Sequence, residues 1–178
     1  MCCILEHYDY DDYKNWEGDW ELINGVIYAM SPSPMFNHQG IASMILTSLN
    51  NSLANCKKCL AISEEDWKID SFTTLRPDIS LVCGQMGGAY IKKTPDLIVE
   101  IVSKSSIKRD EKIKFNIYEK EKVKYYILVY PDDLKAKIYK LDGKKYEKVG
   151  DFFEEKYTFD NLKCKAKINF KKVFEKFK

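Results

Sequence analysis

The sequence is poor in several residues on which common classes of enzyme and membrane protein depend. It has two histidines, and only two of its 29 basic residues are arginines, Arg76 and Arg109. No apolar run approaches the roughly 18 residues of a membrane-spanning helix. Residues 1–21 hold seven acidic side chains and one lysine, whereas a signal peptide begins with basic residues and an apolar stretch. We therefore expect a cytoplasmic protein with no membrane segment.

Motifs of the common nucleophile, nucleotide and zinc-protease sites are also missing, because the chain contains no GxSxG, Walker, GxGxxG or HExxH sequence. Its six cysteines include one CxxC pair, Cys56 and Cys59. A structural zinc site commonly takes a second such pair or two suitably spaced histidines, and disulfides are typical of secreted chains. We expect these cysteines to be reduced thiols that take no part in zinc or redox chemistry.

The chain does contain enough apolar sequence for a core of its own. Its 178 residues are 45% hydrophobic and 31% charged, which predicts one folded domain over residues 1–178. The net charge of +2 hides an uneven distribution: residues 1–103 carry 7 basic and 14 acidic side chains, and residues 104–178 carry 22 and 13. A solvated, lysine-rich surface is the simple explanation, and a phosphate-binding half beside an acidic half is the sharper one.

The order of the predicted elements is that of an α/β or α+β protein. Asn24 and Gly25, between two apolar runs, predict a hairpin with a type I′ turn because both residues tolerate positive φ. Residues 31–34 should end that hairpin, and helical periodicity follows over residues 37–55. A second helix is predicted over residues 107–122. The predicted strands include residues 60–63, 67–69, 73–75, 78–83, 96–103 and 124–130.

Two carboxylates interrupt this pattern. Glu100 lies in the apolar run 97–102, where an unpaired carboxylate is costly, so a cation or hydrogen-bond donors must meet it. A structural ion pair with Arg76 is one explanation. Asp78 begins the preceding strand, and antiparallel pairing through the loop 84–94 would bring it within one position of Glu100. Two carboxylates this close repel each other unless a divalent cation lies between them, and oxygen ligands suit Mg²⁺ or Mn²⁺.

The second predicted helix carries charged residues at the spacing of a buried face. Asp110 and Lys114 follow the same i, i+3, i+4 pattern as Ile113 and Ile117, which is typical of an inward stripe. An exposed Asp–Lys pair at the edge of the stripe is the simple explanation. The alternative places Lys114 close to Glu100, because the helix begins just after the strand that carries this glutamate.

The chain resembles a known family over nearly its whole length. The resemblance is carried by ELING, MSPSP and His38-Gln39 within residues 21–39, by RPDIS at 76–80, by PDLIVEIVS at 95–103, and by Asp110, Lys114 and Tyr118. These stretches are similar to the opening, the two central strands and the second helix of the Uma-two family. Its members are described as putative restriction endonucleases of the PD-(D/E)XK nuclease superfamily.

The resemblance implies a restriction-endonuclease-like fold, with a central mixed sheet flanked by helices, and a metal-dependent phosphodiesterase site. By matching positions, Asp78 and Glu100 would bind Mg²⁺ or Mn²⁺. The superfamily lysine that usually follows the glutamate by two residues is absent here, and Lys114 would replace it. His38 would transfer a proton or contact phosphate unless it is a core histidine. Glu21 would add a carboxylate to the metal or bind Lys114.

The implied substrate is nucleic acid, with DNA favoured over RNA, and cutting both strands of a duplex would favour a homodimer. The alternative is a non-catalytic module of the same fold that binds nucleic acid or a partner protein. Loss of Asp78, Glu100 or Lys114 would indicate such a module, and all three residues are present.

Overall fold

The computed structural model describes residues 6–30 and 35–178. Its strands are β1 (Trp20–Ile23), β2 (Val26–Ala29), β3 (Cys59–Ser63), β4 (Trp67–Lys68), β5 (Thr74–Leu75), β6 (Ile79–Cys83), β7 (Leu97–Ile101), β8 (Tyr125–Tyr130), β9 (Lys135–Asp142), β10 (Lys145–Phe152), β11 (Lys156–Phe159) and β12 (Ala166–Asn169). Its α-helices are α1 (Tyr10–Tyr13), α2 (Phe36–Ser52), α3 (Phe115–Lys120) and α4 (Phe170–Phe174), and a π-helical turn, Arg109–Lys114, directly precedes α3.

The largest sheet has six strands in the order β10-β9-β8-β7-β6-β3. Only the pair β7–β8 is parallel within it, because the π-helical turn and α3 carry the chain back across the sheet between these strands. A four-stranded sheet has the order β2-β1-β5-β4, and β11 pairs with β12. The predicted mixed sheet flanked by helices is confirmed.

The large sheet separates two apolar layers. One face packs against α2, α4 and the β11–β12 pair, with Ile41, Ile45 and Phe170 among the fully buried residues. The other face packs against α3 and the four-stranded sheet, with Trp67 and Tyr118 between them. None of the described helices has the length and apolar character needed to span a membrane.

The N-terminal hairpin forms where the sequence predicts it. Asn24 and Gly25 join β1 to β2 with φ values of 50° and 78°, which is the left-handed pair that a type I′ turn requires. Residues 31–34, expected to end the hairpin, lie outside the described residues. The β11–β12 pair near the C-terminus was not expected from the sequence.

The cysteines differ from the sequence expectation. Cys56 is joined to Cys164 and Cys59 to Cys83 in disulfides, so the expectation of reduced thiols is wrong for these four residues in this structure. The reason is topological: Cys59 and Cys83 are direct neighbours across β3 and β6, a relation that the linear sequence does not reveal.

Candidate active site

Lys114 lies at the centre of a buried polar cluster. Its ammonium donates a hydrogen bond to Glu100 Oε1 at 2.9 Å, and it lies 2.7 Å from Glu21 Oε1 and 3.7 Å from Asp110 Oδ1. All four residues are at most 3% exposed. The simple explanation of an exposed Asp–Lys pair is therefore wrong, since both side chains face the interior.

The buried face of the helical segment formed by the π-helical turn and α3 carries polar side chains. Asp110, Lys114 and Tyr118 follow one another at intervals of four residues and are buried, whereas Ile113 is 38% exposed. The π-helical turn covers the first two of these positions, and such turns occur frequently at functional sites. The inward stripe predicted from the sequence is thus buried at Asp110 and Lys114 but partly exposed at Ile113.

The electrostatics of the cluster favour a charged lysine. Burial raises the pKa of Glu100 well above its usual range, and the neighbouring carboxylates add to this effect while Lys114 opposes it. Burial works against the ammonium of Lys114, but Glu100, Glu21 and Asp110 outweigh it and raise its pKa. We conclude that Lys114 is protonated and that Glu100 binds a proton more readily than an exposed glutamate does.

Glu100 has a second donor that sequence reasoning did not assign to the site. The Tyr118 hydroxyl donates to Glu100 Oε1 at 2.6 Å, so the same oxygen accepts from lysine and tyrosine. The available signal was the spacing of Tyr118, one turn after Lys114. Arg76, considered as the partner of Glu100, instead contacts Asp66 at 2.7 Å and Asp19 at 2.6 Å.

Glu21 reaches the cluster from β1. Its Oε1 accepts from the backbone N–H of Arg76 at 3.1 Å as well as contacting Lys114. Its Oε2 lies 3.4 Å from Arg109 Nε, but without hydrogen-bond geometry, and both atoms are buried without a hydrogen-bond partner among the described residues. A buried carboxylate oxygen without a donor is available for a cation or a water molecule.

Asp78 lies just before β6, on the strand next to Glu100. Ile79 pairs with Val99, so the register extended by one residue places Asp78 directly opposite Glu100, one position closer than the sequence suggested. Side chains of directly opposed residues lie on the same face of a sheet. Asp78 Oδ2 accepts from the backbone N–H of Ile101 at 2.5 Å.

His38 lies on the other side of Asp78, on α2. Its Nε2 is 3.5 Å from Asp78 Oδ2. Burial lowers the pKa of His38, but the hydrogen bond and charge of Asp78 outweigh this effect and raise it. Both side chains line a cleft of about 50 Å³ whose rim includes Glu64, a residue with a positive φ of 50°. No feature of the sequence singled out Glu64.

The oxygen atoms that this site offers are of the kind that binds a hard divalent cation. Asp78, Glu100 and Glu21 offer carboxylate oxygens, the ligands that Mg²⁺ and Mn²⁺ prefer. Among the described residues, no three carboxylate or imidazole groups at this site bring ligand atoms within 4.8 Å of one another, since the ammonium of Lys114 lies between Glu21 and Glu100. A larger hollow of about 430 Å³, lined by Trp16 and Trp20, contains none of the predicted site residues.

A comparison with known protein families shows to which family this chain belongs. Residues 7–159 match the Uma2 family, whose description is "Putative restriction endonuclease". The chain belongs to the Uma2 family. The matched range contains all five residues that the sequence assigned to a site. A search of curated proteins found no match.

A solved structure shares the fold of this Uma2 chain. It is a "putative nuclease belonging to DUF820" from Anabaena variabilis ATCC 29413, with a TM-score of 0.74 at 18% sequence identity. The alignment covers 94% of this chain and 98% of the other. Family and fold together place the Uma2 chain among nuclease-like proteins.

Proposed function

We propose that this Uma2 chain is a divalent-metal-dependent endonuclease that hydrolyses phosphodiester bonds of DNA. The observation that carries the proposal is the buried Glu100–Lys114 pair beside Asp78 on the central sheet of a nuclease-like fold. A buried ion pair is often no more stabilising than packed apolar side chains of the same volume. Charges retained at such a position, with shifted pKa values, are typical of a site that performs chemistry.

Asp78 and Glu100 are the proposed ligands of the cation, with Mg²⁺ or Mn²⁺ as the ion. A divalent cation held there would offset phosphate charge and lower the pKa of a bound water. Glu21 fits beside them because its Oε2 is buried and accepts no hydrogen bond within the part of the chain that the structure describes. Asp78 is oriented by the N–H of Ile101, so its carboxylate is positioned before any ligand arrives.

Lys114 is proposed to stabilise the negative charge that develops on the phosphate. It contacts two glutamates, Glu21 at 2.7 Å and Glu100 at 2.9 Å. Glu100 can therefore turn to a cation while Glu21 still pairs with the ammonium. This double pairing avoids an unpaired buried charge, which would be strongly destabilising.

His38 is the proposed proton donor or phosphate contact. It lies in the cleft beside Asp78, with its Nε2 3.5 Å from Asp78 Oδ2. The His38 side chain is 13% exposed, so the imidazole is only partly enclosed.

Exposed lysines around the start of the helical segment that carries Lys114 are proposed to contact the DNA backbone. Lys104 lies in the turn after β7, and Lys108 and Lys112 follow it in the helical segment; all three are exposed. Each phosphate contact releases condensed counterions, so binding should weaken steeply with salt.

We propose a homodimer for cutting both strands of a duplex, and sedimentation with and without duplex DNA tests it.

The test is cleavage of supercoiled plasmid, single-stranded DNA and RNA, each with Mg²⁺ or Mn²⁺ and with a chelator. We expect metal-dependent cleavage of DNA that is lost in Glu100→Gln and retained in Glu147→Gln, a matched change at an exposed position. Thermal unfolding with and without the metal separates this proposal from the alternative of a non-catalytic module of the same fold. A folded protein that shows neither cleavage nor a metal-induced shift would overturn the proposal and favour the non-catalytic module.

A further inference from the structure

Four cysteines from distant parts of the chain meet at one place on the large sheet. Cys56 follows α2, Cys59 begins β3, Cys83 ends β6, and Cys164 lies between β11 and β12. The Sγ atoms of Cys56, Cys59 and Cys164 lie within 4.8 Å of one another, and Cys83 is bonded to Cys59. We call these four residues the cysteine cluster.

We propose that the cysteine cluster, when its thiols are reduced, binds one Zn²⁺ through four thiolates. A Zn–S bond is about 2.3 Å, so a tetrahedral site places its sulfurs roughly 3.8 Å apart. Three of the sulfurs, those of Cys56, Cys59 and Cys164, already lie within 4.8 Å of one another, and Cys83 Sγ, which is bonded to Cys59, would turn toward them once that bond is reduced. The two disulfides and the zinc site are then alternative states of the same four sulfurs.

The sequence argument against zinc considered only a second CxxC pair or two histidines as the remaining ligands, and the proposed ligands are of neither kind. Cys56 and Cys59 form the recognisable pair, whereas Cys83 lies 24 residues after Cys59 and Cys164 lies 108 residues after Cys56. Only the pairing of β3 with β6 and the packing of the C-terminal segment bring them together. A closed set of four cysteines is a common composition of structural zinc sites.

Lysines lie near the cysteine cluster in the structure and in the sequence. Four thiolates around Zn²⁺ carry a net charge of −2, and nearby cations favour the thiolate form. A Cβ atom built at Gly84, next to Cys83, would lie 3.1 Å from Lys93 Nζ and 3.4 Å from Lys163 Nζ. Exposed lysines also flank the cluster in sequence, at Lys57, Lys58 and Lys165.

The conversion between the two states balances with a dithiol as the reductant. Each disulfide accepts two electrons and two protons from a dithiol, which is oxidised to its own disulfide, and yields two thiols. Binding of Zn²⁺ then releases the four thiol protons to water. Cytosolic thiol pools keep cysteines reduced, so the zinc-binding state is the one expected in the cytoplasm. In that state the ion ties the end of α2 and the C-terminal segment to β3 and β6.

The first experiment measures metal content in the full-length wild-type protein. The protein is reduced with dithiothreitol, desalted, incubated with ZnCl₂ and desalted again before elemental analysis. We expect about one zinc ion per chain after reduction and almost none in the oxidised protein. Cobalt in place of zinc should give the absorption of a tetrahedral thiolate complex. Reduced wild-type protein without stoichiometric zinc, or with iron and sulfide instead, would overturn the proposal.

Variants then assign the ligands. Cys83→Ser and Cys164→Ser should lose most of the bound metal, and Cys164→His should retain it with an altered cobalt spectrum because imidazole replaces one thiolate. The double variant Cys2→Ser/Cys3→Ser and the variant Glu100→Gln should keep the wild-type stoichiometry. Loss of zinc in either control, with retention in Cys83→Ser, would place the ion elsewhere. This outcome is independent of DNA cleavage.

Discussion

Strand β7 has two faces that differ in what holds them together. On one face Leu97, Val99 and Ile101 pack in the apolar layer beneath α2. On the other face Ile98 packs in the second apolar layer, and beside it Glu100 meets the ammonium of Lys114; we call this the polar face. The apolar face is stabilised by area removed from water and depends on no single partner, whereas the polar face is stable only while each charge keeps its counterpart. One strand thus separates the residues proposed for chemistry from residues that provide stability.

The largest expected effect is on the polar face and on activity. Lys114→Met should lower DNA cleavage by about 10²–10³-fold, the usual cost of losing one electrostatic contact to the transition state. The fold should persist with a lower free energy of unfolding, because the freed glutamates must take up protons, and the metal-induced thermal shift should remain. Cleavage assays beside Lys120→Met, an exposed lysine on the same helix, provide the matched comparison. If Lys114→Met cuts DNA like the wild type, another group stabilises the negative charge on the phosphate.

The apolar face should respond in stability rather than in chemistry. Ile127 is fully buried on β8, in the layer beneath α2. Ile127→Ala should lower the free energy of unfolding by about 2–5 kcal/mol, because it removes buried methyl groups and leaves a cavity. Denaturant unfolding measures this loss, and cleavage per folded molecule should be unchanged. A loss of cleavage without a loss of stability would remove the distinction between the faces.

A smaller effect is expected from the hydroxyl that Tyr118 donates to Glu100. Tyr118→Phe keeps the ring packed against Trp67 and removes only that hydrogen bond. The free energy of unfolding should fall by about 1.5 kcal/mol, a typical value for a hydrogen bond to a charged group. In the Glu100→Gln background the same change should cost less, since the two residues are coupled. Equal costs in both backgrounds would show that the hydroxyl does not act through Glu100.

The smallest effect is expected at the outward isoleucine of the same helical segment. Ile113 is 38% exposed, so Ile113→Ala should change the free energy of unfolding by no more than about 0.5 kcal/mol. Ile117→Ala, at a position that packs on the sheet, should cost more. If the two substitutions cost the same, the helix does not turn its polar residues inward in solution.

The sequence predicted those contacts of the candidate site that depend on local pattern. A carboxylate inside an apolar run required a partner, and the spacing along the next helix indicated Lys114 as an inward lysine. It did not predict the π-helical turn or the exposure of Ile113, because both depend on how the helix packs against the sheet. The contacts of Arg76 with Asp19 and Asp66 likewise depend on the four-stranded sheet, which brings distant segments together.

The fold class followed from the alternation of strands and helices and from the resemblance, which rests on short motifs in the right order. The pairing of the cysteines did not follow, since Cys164 lies in a C-terminal segment whose strands the sequence did not predict. The register between β6 and β7 was also one residue away from the expectation, because the length of a loop does not determine which residues of its flanking strands pair.

The crossover from β7 to β8 has a consequence for the order in which the protein folds. Lys114 and Tyr118 lie only 14 and 18 residues after Glu100, so closing these contacts restricts little chain. Contacts between residues near in sequence tend to form before those between distant segments. Glu21 must arrive from the other end of the domain. The ammonium of Lys114 is therefore expected to meet Glu100 before the hairpin covers it, and its charge is not buried alone at any stage.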